Sequence, residues 1–358
     1  MNPAGGARAK AEASPLLVDS QGMWEATAGL PEQVEAAASA ARDVGGLPPR
    51  ESIENVVVLG MGGSGIAGDV LAVSAAPFMP VPVTVVKGYV PPDYVGTGSL
   101  VFAISFSGDT EETLEAAAAA YEAGAALVAV TGGGELARLA GEWEVPLVPV
   151  PTDIPQPRAA LGAMAVPPLV LLESVGLFPG AQQWLDEAVT RLRRRRDELV
   201  RPDSLAETVA RHIGRTIPLI HGAQDLGAAA ALRWKAQINE NAKSPAFFNV
   251  YPELCHNEVA GWGQHGDATR QLITLVNLRH NAEHPQVARR FDLVVDVLRE
   301  VVADVVEVRA TGDGELAQLL DLVLIGDFTS LLLAGQEGID PGPIPVLDEI
   351  KLRLVEGR

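Results

Sequence analysis

The sequence predicts an α/β protein of two lobes, each a mainly parallel sheet flanked by helices on both faces, and two observations carry that reading. Short β-branched runs alternate with helical stretches from Asn55 to Val150, and the alternation restarts at Thr216 and continues to Leu333. Alternation of this kind places a crossover helix after each strand and so builds a parallel sheet covered on both sides. A chain of 358 residues is also too long for one comfortable core.

Met1–Ser14 is rich in Ala and Gly without an apolar core segment, so it reads as a tail and not a signal peptide. A helix is expected within Ser20–Val44, with Pro31 near its first turn, before a linker at Gly45–Arg50. Asn55–Leu59 is short, continuous and β-branched, which suits a buried parallel strand, and it runs into a glycine-rich turn and a helix over Ser64–Ser74. Strands follow at Val81–Val86, Leu100–Ile104, Ala126–Thr131 and Val145–Val150, with helices at Glu111–Ala123 and Glu135–Gly141. Prolines make Ile154–Arg158 irregular, and Ala159–Val175 and Ala181–Arg201 read as helices. The second lobe offers strands at Thr216–His221, Gln271–Asn277 and Val305–Arg309, and an extended piece at Ala246–Val250. Its helices are expected after Leu226, at Gln286–Val302 and at Gly314–Leu333. Pro341, Pro343 and Pro345 stiffen a connector to a last helix at Pro345–Val355. The expected division is a disordered tail over 1–19, a first lobe over 20–201, a second over 202–340, and the connector and helix over 341–358.

Apolar residues at 47% and charged residues at 20% mark an ordinary globular composition. No long apolar run lacks a charge or a turn signal, so no membrane span is expected and the protein reads as cytoplasmic. The net charge of -19 argues against a nucleic-acid partner, because phosphate backbones need a positive surface. The basic run Arg191-Leu-Arg-Arg-Arg-Arg196 is interleaved with Asp186, Glu187, Asp197 and Glu198 and reads as a solvated helix face. A single cysteine, Cys255, excludes an internal disulfide and a cysteine-rich zinc site. Its neighbour His256 raises the possibility of a Cys/His nucleophile, which adjacent side chains rarely make.

Two stretches carry polar density that a core helix has no need of. Arg233-Trp-Lys-Ala-Gln-Ile-Asn-Glu-Asn-Ala-Lys243 closes one helix, and Pro252-Glu-Leu-Cys-His-Asn-Glu258 follows after a short gap. Glu240 and His256 are the candidate acid/base groups. The bland alternative is a solvated glutamate and a structural histidine.

Anion sites are legible at two strand-to-helix turns. Gly60-Met-Gly-Gly-Ser-Gly65 can present backbone N–H groups and a helix dipole to a phosphate. It also satisfies GxGxxG, yet the next strand ends Val85-Val86-Lys87-Gly88 with no acid for a ribose diol, which disfavours a dinucleotide. Ser105, Ser107 and Thr110 gather at the later turn, where a cap would need one hydroxyl and three suit a monophosphate.

Taken together, Gly60–Gly65, Ser105-Phe-Ser-Gly-Asp-Thr-Glu-Glu-Thr113, Gln237–Lys243 and Pro252–Glu258 resemble the bifunctional phosphoglucose/phosphomannose isomerases, built from two sugar isomerase (SIS) lobes. The resemblance implies an aldose–ketose isomerase acting on glucose 6-phosphate or mannose 6-phosphate to give fructose 6-phosphate, without metal or other cofactor. It further implies that Gly63, Ser64, Ser105, Ser107 and Thr110 hold the phosphate, and that Glu240 moves the proton between C1 and C2. His256 would open the ring from across a homodimer interface, Arg158 would lie near the enediolate, and Lys351 would assist at the ring oxygen. Phe106, Asp109 and Cys255 depart from the family pattern. Alternative readings are a non-catalytic phosphosugar sensor and an isomerase of another sugar phosphate; a sensor needs the phosphate loop but no base.

Overall fold

In the computed structural model, which describes residues 17–356, the expected N-terminal helix is two helices. They are α1 (Met23–Ala28) and α2 (Leu30–Arg42), parted at Gly29. The tail reading over Met1–Ser14 lies outside the described residues. Pro31 sits in the first turn of α2, where its missing N–H leaves no intrahelical bond unmade.

The first sheet grows from β1 (Asn55–Leu59), whose burial is nearly complete and whose end turns directly into α3 (Gly62–Ser74). Then come β2 (Val83–Val86), β3 (Ser99–Ser105), α4 (Glu111–Glu122), β4 (Ala126–Thr131), α5 (Gly134–Glu142) and β5 (Leu147–Pro149). All pairs are parallel, in the order β2-β1-β3-β4-β5. The order reverses between β1 and β3, so α3 and α4 leave toward opposite faces and a crevice opens beyond those two strands.

Two helices, α6 (Leu161–Ser174) and α7 (Ala181–Leu199), lead to the second lobe. It opens with α8 (Leu205–Ile213), which the sequence reading did not anticipate although Ala206, Val209, Ala210 and Ile213 form a buried stripe behind an Ser204 cap. Next are β6 (Ile217–Ala223), α9 (Leu226–Asn241), β7 (Phe247–Tyr251), α10 (Gly266–Leu272), β8 (Ile273–Arg279), α11 (Pro285–Leu298), β9 (Asp304–Arg309), α12 (Glu315–Gln336) and α13 (Pro345–Glu356). This sheet is again parallel, in the order β7-β6-β8-β9.

One face of each sheet belongs to the same hydrophobic core. Val56, Phe102 and Ile104 of the first sheet and Ile220, Val276 and Leu278 of the second share a buried cluster with α2, α3, α6, α9 and α12. The opposite faces carry separate, smaller clusters under α4 and α5 and under α11. Among the described residues α12 alone is long and apolar enough to cross a membrane, and 94% of its apolar window is buried between the lobes, where it acts as the central core helix.

The basic run on α7 departs from its reading as a solvated face. Asp321, fully buried on α12, accepts from Arg191 Nε at 2.8 Å and from Arg195 Nε and Nη2 at 2.7 and 2.9 Å, while the Thr311 N–H donates at 2.9 Å. Arg193 and Arg196 instead pair outward with Glu35 and Glu32 on α2. The i, i+4 spacing of Arg191 and Arg195 aims both at one carboxylate. Asp321→Ala would strand two arginines and should lower the free energy of unfolding by roughly 3–5 kcal/mol, read from the urea midpoint.

Candidate active site

The site forms where the C-terminal edge of the first sheet meets the end of α9. The first turn of α3 carries no side-chain cap, so its leading N–H groups are open to an anion. A methyl group on Gly63 would stand 3.1 Å from the Pro157 carbonyl oxygen and 3.3 Å from the Arg158 Cα, so this turn and the Arg158 backbone are in direct contact. Ser64 is buried and its hydroxyl meets the Met164 sulfur at 3.3 Å. What Ser64 offers toward the crevice is therefore its backbone N–H.

At the neighbouring turn the Ser105 and Thr110 hydroxyls lie 2.9 Å apart, the Gly108 N–H donates to Ser105 Oγ at 3.1 Å, and the Asp109 N–H donates to Ser107 Oγ at 3.2 Å. None of these hydroxyls caps α4. Helix capping is thus not their task here. Gly108 adopts φ +81°, and any side chain there would collide with the Gly133 carbonyl. The departures at Phe106 and Asp109 have a plain account. Phe106 packs against the shared core, and Asp109 turns away to accept from the Glu135 N–H at 2.9 Å, at the start of α5. Its carboxylate thereby complements that helix dipole instead of facing the anion site.

Arg158 is 3% exposed and binds both lobes. Nε donates to Asn241 Oδ1 at 2.7 Å, Nη1 to Gln156 Oε1 at 3.2 Å, and Nη2 to the Pro341 and Gly342 carbonyls at 2.6 and 2.8 Å. Nη1 also lies 3.5 Å from Glu240 Oε2, which brings the predicted base and the predicted cation together. Burial holds the Arg158 guanidinium below its usual range, opposed by the Glu240 charge.

Sequence reasoning missed the second row of this arrangement. Arg233 donates to the Arg158 carbonyl at 2.6 Å and pairs with buried Asp327 at 2.7 Å. Asn241 donates to Ser330 Oγ at 2.9 Å, and Lys243 Nζ donates to the Glu240 and Pro341 carbonyls at 2.7 and 3.0 Å. Asp327 and Ser330 interrupt the apolar run of α12, a signal that could have been read.

Two candidates stand apart. Glu240 ends α9, a helix of 16 residues that runs back from the C-terminal edge of the second sheet, so about 24 Å of helix separates its two ends. His256 follows β7 and lies exposed at the opposite edge of that sheet. Glu240 and His256 of one chain therefore do not form an acid/base pair. Lys351 is exposed on α13 and shares no hydrogen bond or ion pair with Glu240 or Arg158. Cys255 packs on the apolar cluster under α11 while His256 faces out, so the Cys/His nucleophile is not formed; burial also pushes the thiol up, away from its reactive form.

The profile of the SIS domain matches residues 51–143, and that of the bacterial phospho-glucose isomerase C-terminal SIS domain matches residues 202–354. The tagatose-6-phosphate ketose/aldose isomerase structure from Escherichia coli superposes with a TM-score of 0.69 at 16% identity, covering 91% of this chain and 96% of that one. Fold and site together define a double-SIS α/β protein. A bifunctional phosphoglucose/phosphomannose isomerase from Caldicellulosiruptor bescii is 36% identical over 93% of this chain and 99% of its own length, and one from Aquifex aeolicus is 33% identical over 84% and 90%. The chain belongs to the bifunctional phosphoglucose/phosphomannose isomerase family, as its four motifs imply.

Asn241→Ala would leave the Arg158 Nε buried without an acceptor, so a loss of about 1–3 kcal/mol is expected in denaturant unfolding. Turnover should fall with it, because Asn241 holds the Arg158 guanidinium that lies beside Glu240.

Proposed function

We propose that the protein interconverts glucose 6-phosphate and mannose 6-phosphate with fructose 6-phosphate by an aldose–ketose isomerisation through a cis-enediol. The observation that carries this reading is the Glu240 carboxylate 3.5 Å from the buried Arg158 guanidinium, beside an uncapped helix N-terminus and a hydroxyl-rich loop. In this reading the phosphate is held by the first N–H groups of α3, at Gly63 and Ser64, and by Ser105, Ser107 and Thr110. The sugar then extends toward Glu240.

Glu240 takes the proton from C2 of the open-chain aldose and returns it to C1. Either epimer at C2 leads to the same planar enediol, and because their C2 protons lie on opposite faces, one base serves both hexoses when the open-chain sugar turns about its C2–C3 bond. Arg158 has its N–H groups engaged by protein partners, so it acts by charge and by orienting Glu240; in a dry site that charge stabilises a developing enediolate. Retention of a base next to a guanidinium argues against a sensor, which needs only the phosphate loop. Within a homodimer, His256 of a second copy serves ring opening at the Glu240 site, and Lys351 assists at the ring oxygen.

Purified protein in EDTA, given glucose 6-phosphate and mannose 6-phosphate separately, should form fructose 6-phosphate from both. No turnover of either sugar, with phosphosugar still raising the melting temperature, would return the sensor. Glu240→Gln should cut kcat by roughly 100-fold or more with phosphosugar binding kept. Ser107→Ala should raise KM and leave kcat nearly intact; an unchanged KM would place the phosphate elsewhere. Sedimentation equilibrium should give a dimer, and a fully active monomer would remove His256 from a shared site.

A further inference from the structure

The segment that carries His256 is tied to the second sheet by a buried polar group that the chemistry above does not use. His221 on β6 is 0% exposed and stands in register with Asn249 on β7 and Asn277 on β8. Its Nε2 lies 2.8 Å from Glu258 Oε1, and Asn249 Nδ2 donates to Glu258 Oε2 at 2.8 Å. Burial alone would raise the Glu258 carboxyl, but the bonds from His221, Asn249 and Trp262 outweigh it and hold the group below the ordinary carboxylate range. An ionised carboxylate only accepts, so His221 Nε2 is the donor in this bond.

Glu258 follows His256 by two positions and opens the second of two 3-10 turns, Glu253–His256 and Glu258–Gly261. On the near side of His256, Leu254 is fully buried and Cys255 packs beside it in the cluster under α11. On the far side, Glu258 is the segment's side-chain hydrogen-bond link to the sheet among the described residues. An apolar anchor fixes depth but not rotation. Two donors converging on one carboxylate fix both, because each oxygen has its own partner.

We propose that His221, Asn249 and Glu258 form a positioning triad that fixes the orientation of the exposed His256 imidazole for ring opening, a proposal that rests on the isomerase reading. The triad touches no reacting atom. It acts through the turn, and a misplacement of about 1 Å at a catalytic group can cost on the order of 100-fold in rate.

Glu258→Gln tests this directly, since an amide keeps one acceptor oxygen for the two sheet donors and the Trp262 indole. The expected result is a fall in kcat of about 10- to 100-fold with KM for glucose 6-phosphate unchanged, because the phosphate loop lies on the other lobe. In the His256→Ala background the same substitution should cost nothing further. A loss that adds in full to that of His256→Ala overturns the proposal. Asn249→Ala removes one donor and keeps the His221 bond; it should give a smaller loss of the same kind, and a fall in folded protein without a kcat effect would again overturn it. Hydrogen exchange supplies a readout independent of turnover. Faster exchange in Glu258→Gln confined to residues 252–262 supports the anchor, and unchanged exchange there refutes it. Should the wild-type protein turn over neither hexose phosphate, the isomerase reading fails while exchange still decides whether the triad holds the segment.

Discussion

The need to satisfy one buried guanidinium organises the rest of the site. Arg158 cannot shed its charge at any ordinary pH, so burying it demands acceptors all around it. Those acceptors come from three distant parts of the chain: Gln156 beside it, Glu240 and Asn241 at the end of α9, and the Pro341 and Gly342 carbonyls before α13. Lys243 holds the Pro341 carbonyl from the other side. Arg233, itself neutralised by Asp327, grips the Arg158 carbonyl. The result is a carboxylate, Glu240, the proposed base, whose position is set by cations and carbonyls of both lobes. Neither lobe alone supplies the set.

That arrangement depends on the way the two sheets share a core. Their inner faces meet through α3, α6, α9 and α12, so the crevice edge of the first sheet sits against the far end of α9. The phosphate-ready turns and Glu240 are thereby adjacent. The same geometry sends His256 to the other edge of the second sheet, a full helix length away. In the proposed homodimer a closed two-fold is the simplest assembly that would bring His256 to the Glu240 of a second copy, since each surface patch is then used twice. The residues Val346, Leu347, Ile350 and Leu354 leave an exposed apolar surface on α13.

Much of this was legible in the sequence, and the misses have physical causes. Continuous β-branched runs marked the parallel strands because strands buried on both faces need no alternation, as Val56, Val57 and Val58 show. The choice of Glu240 as a candidate base followed from the polar density of its helix, and that of Arg158 from the family resemblance alone. The partners of Arg158 did not, because Pro341 and Gly342 contribute carbonyls, which no side-chain pattern reveals. For the α7 arginines, i, i+4 spacing fits a solvated face and a clamp on one acid equally; only the fold brings Asp321 of α12 beneath Arg191 and Arg195. The departure at Asp109 from the family pattern has no local explanation, because its acceptor role lies at α5, 26 residues on.

The overall charge of -19 makes this last point general. A dianionic sugar phosphate approaching so acidic a protein gains nothing from its net field, and at physiological salt that field fades within about 8 Å. Affinity must come from groups already in place: the open N–H groups at the starts of α3 and α4, their dipoles, and hydroxyls that carry no charge to repel. Turning Asp109 toward α5 then matters more than it would in a basic protein. Lys87, whose ammonium is 2.5 Å from Asp69, packs its stem against Gly65 in the α3 turn and is already neutralised there. The positive charge left to the site is the Arg158 and Lys243 pair next to Glu240, where the substrate becomes more negative only as the enediolate forms. Backbone dipoles for the ground-state phosphate and the buried Arg158 guanidinium for the developing charge is a division that favours the transition state over the bound sugar.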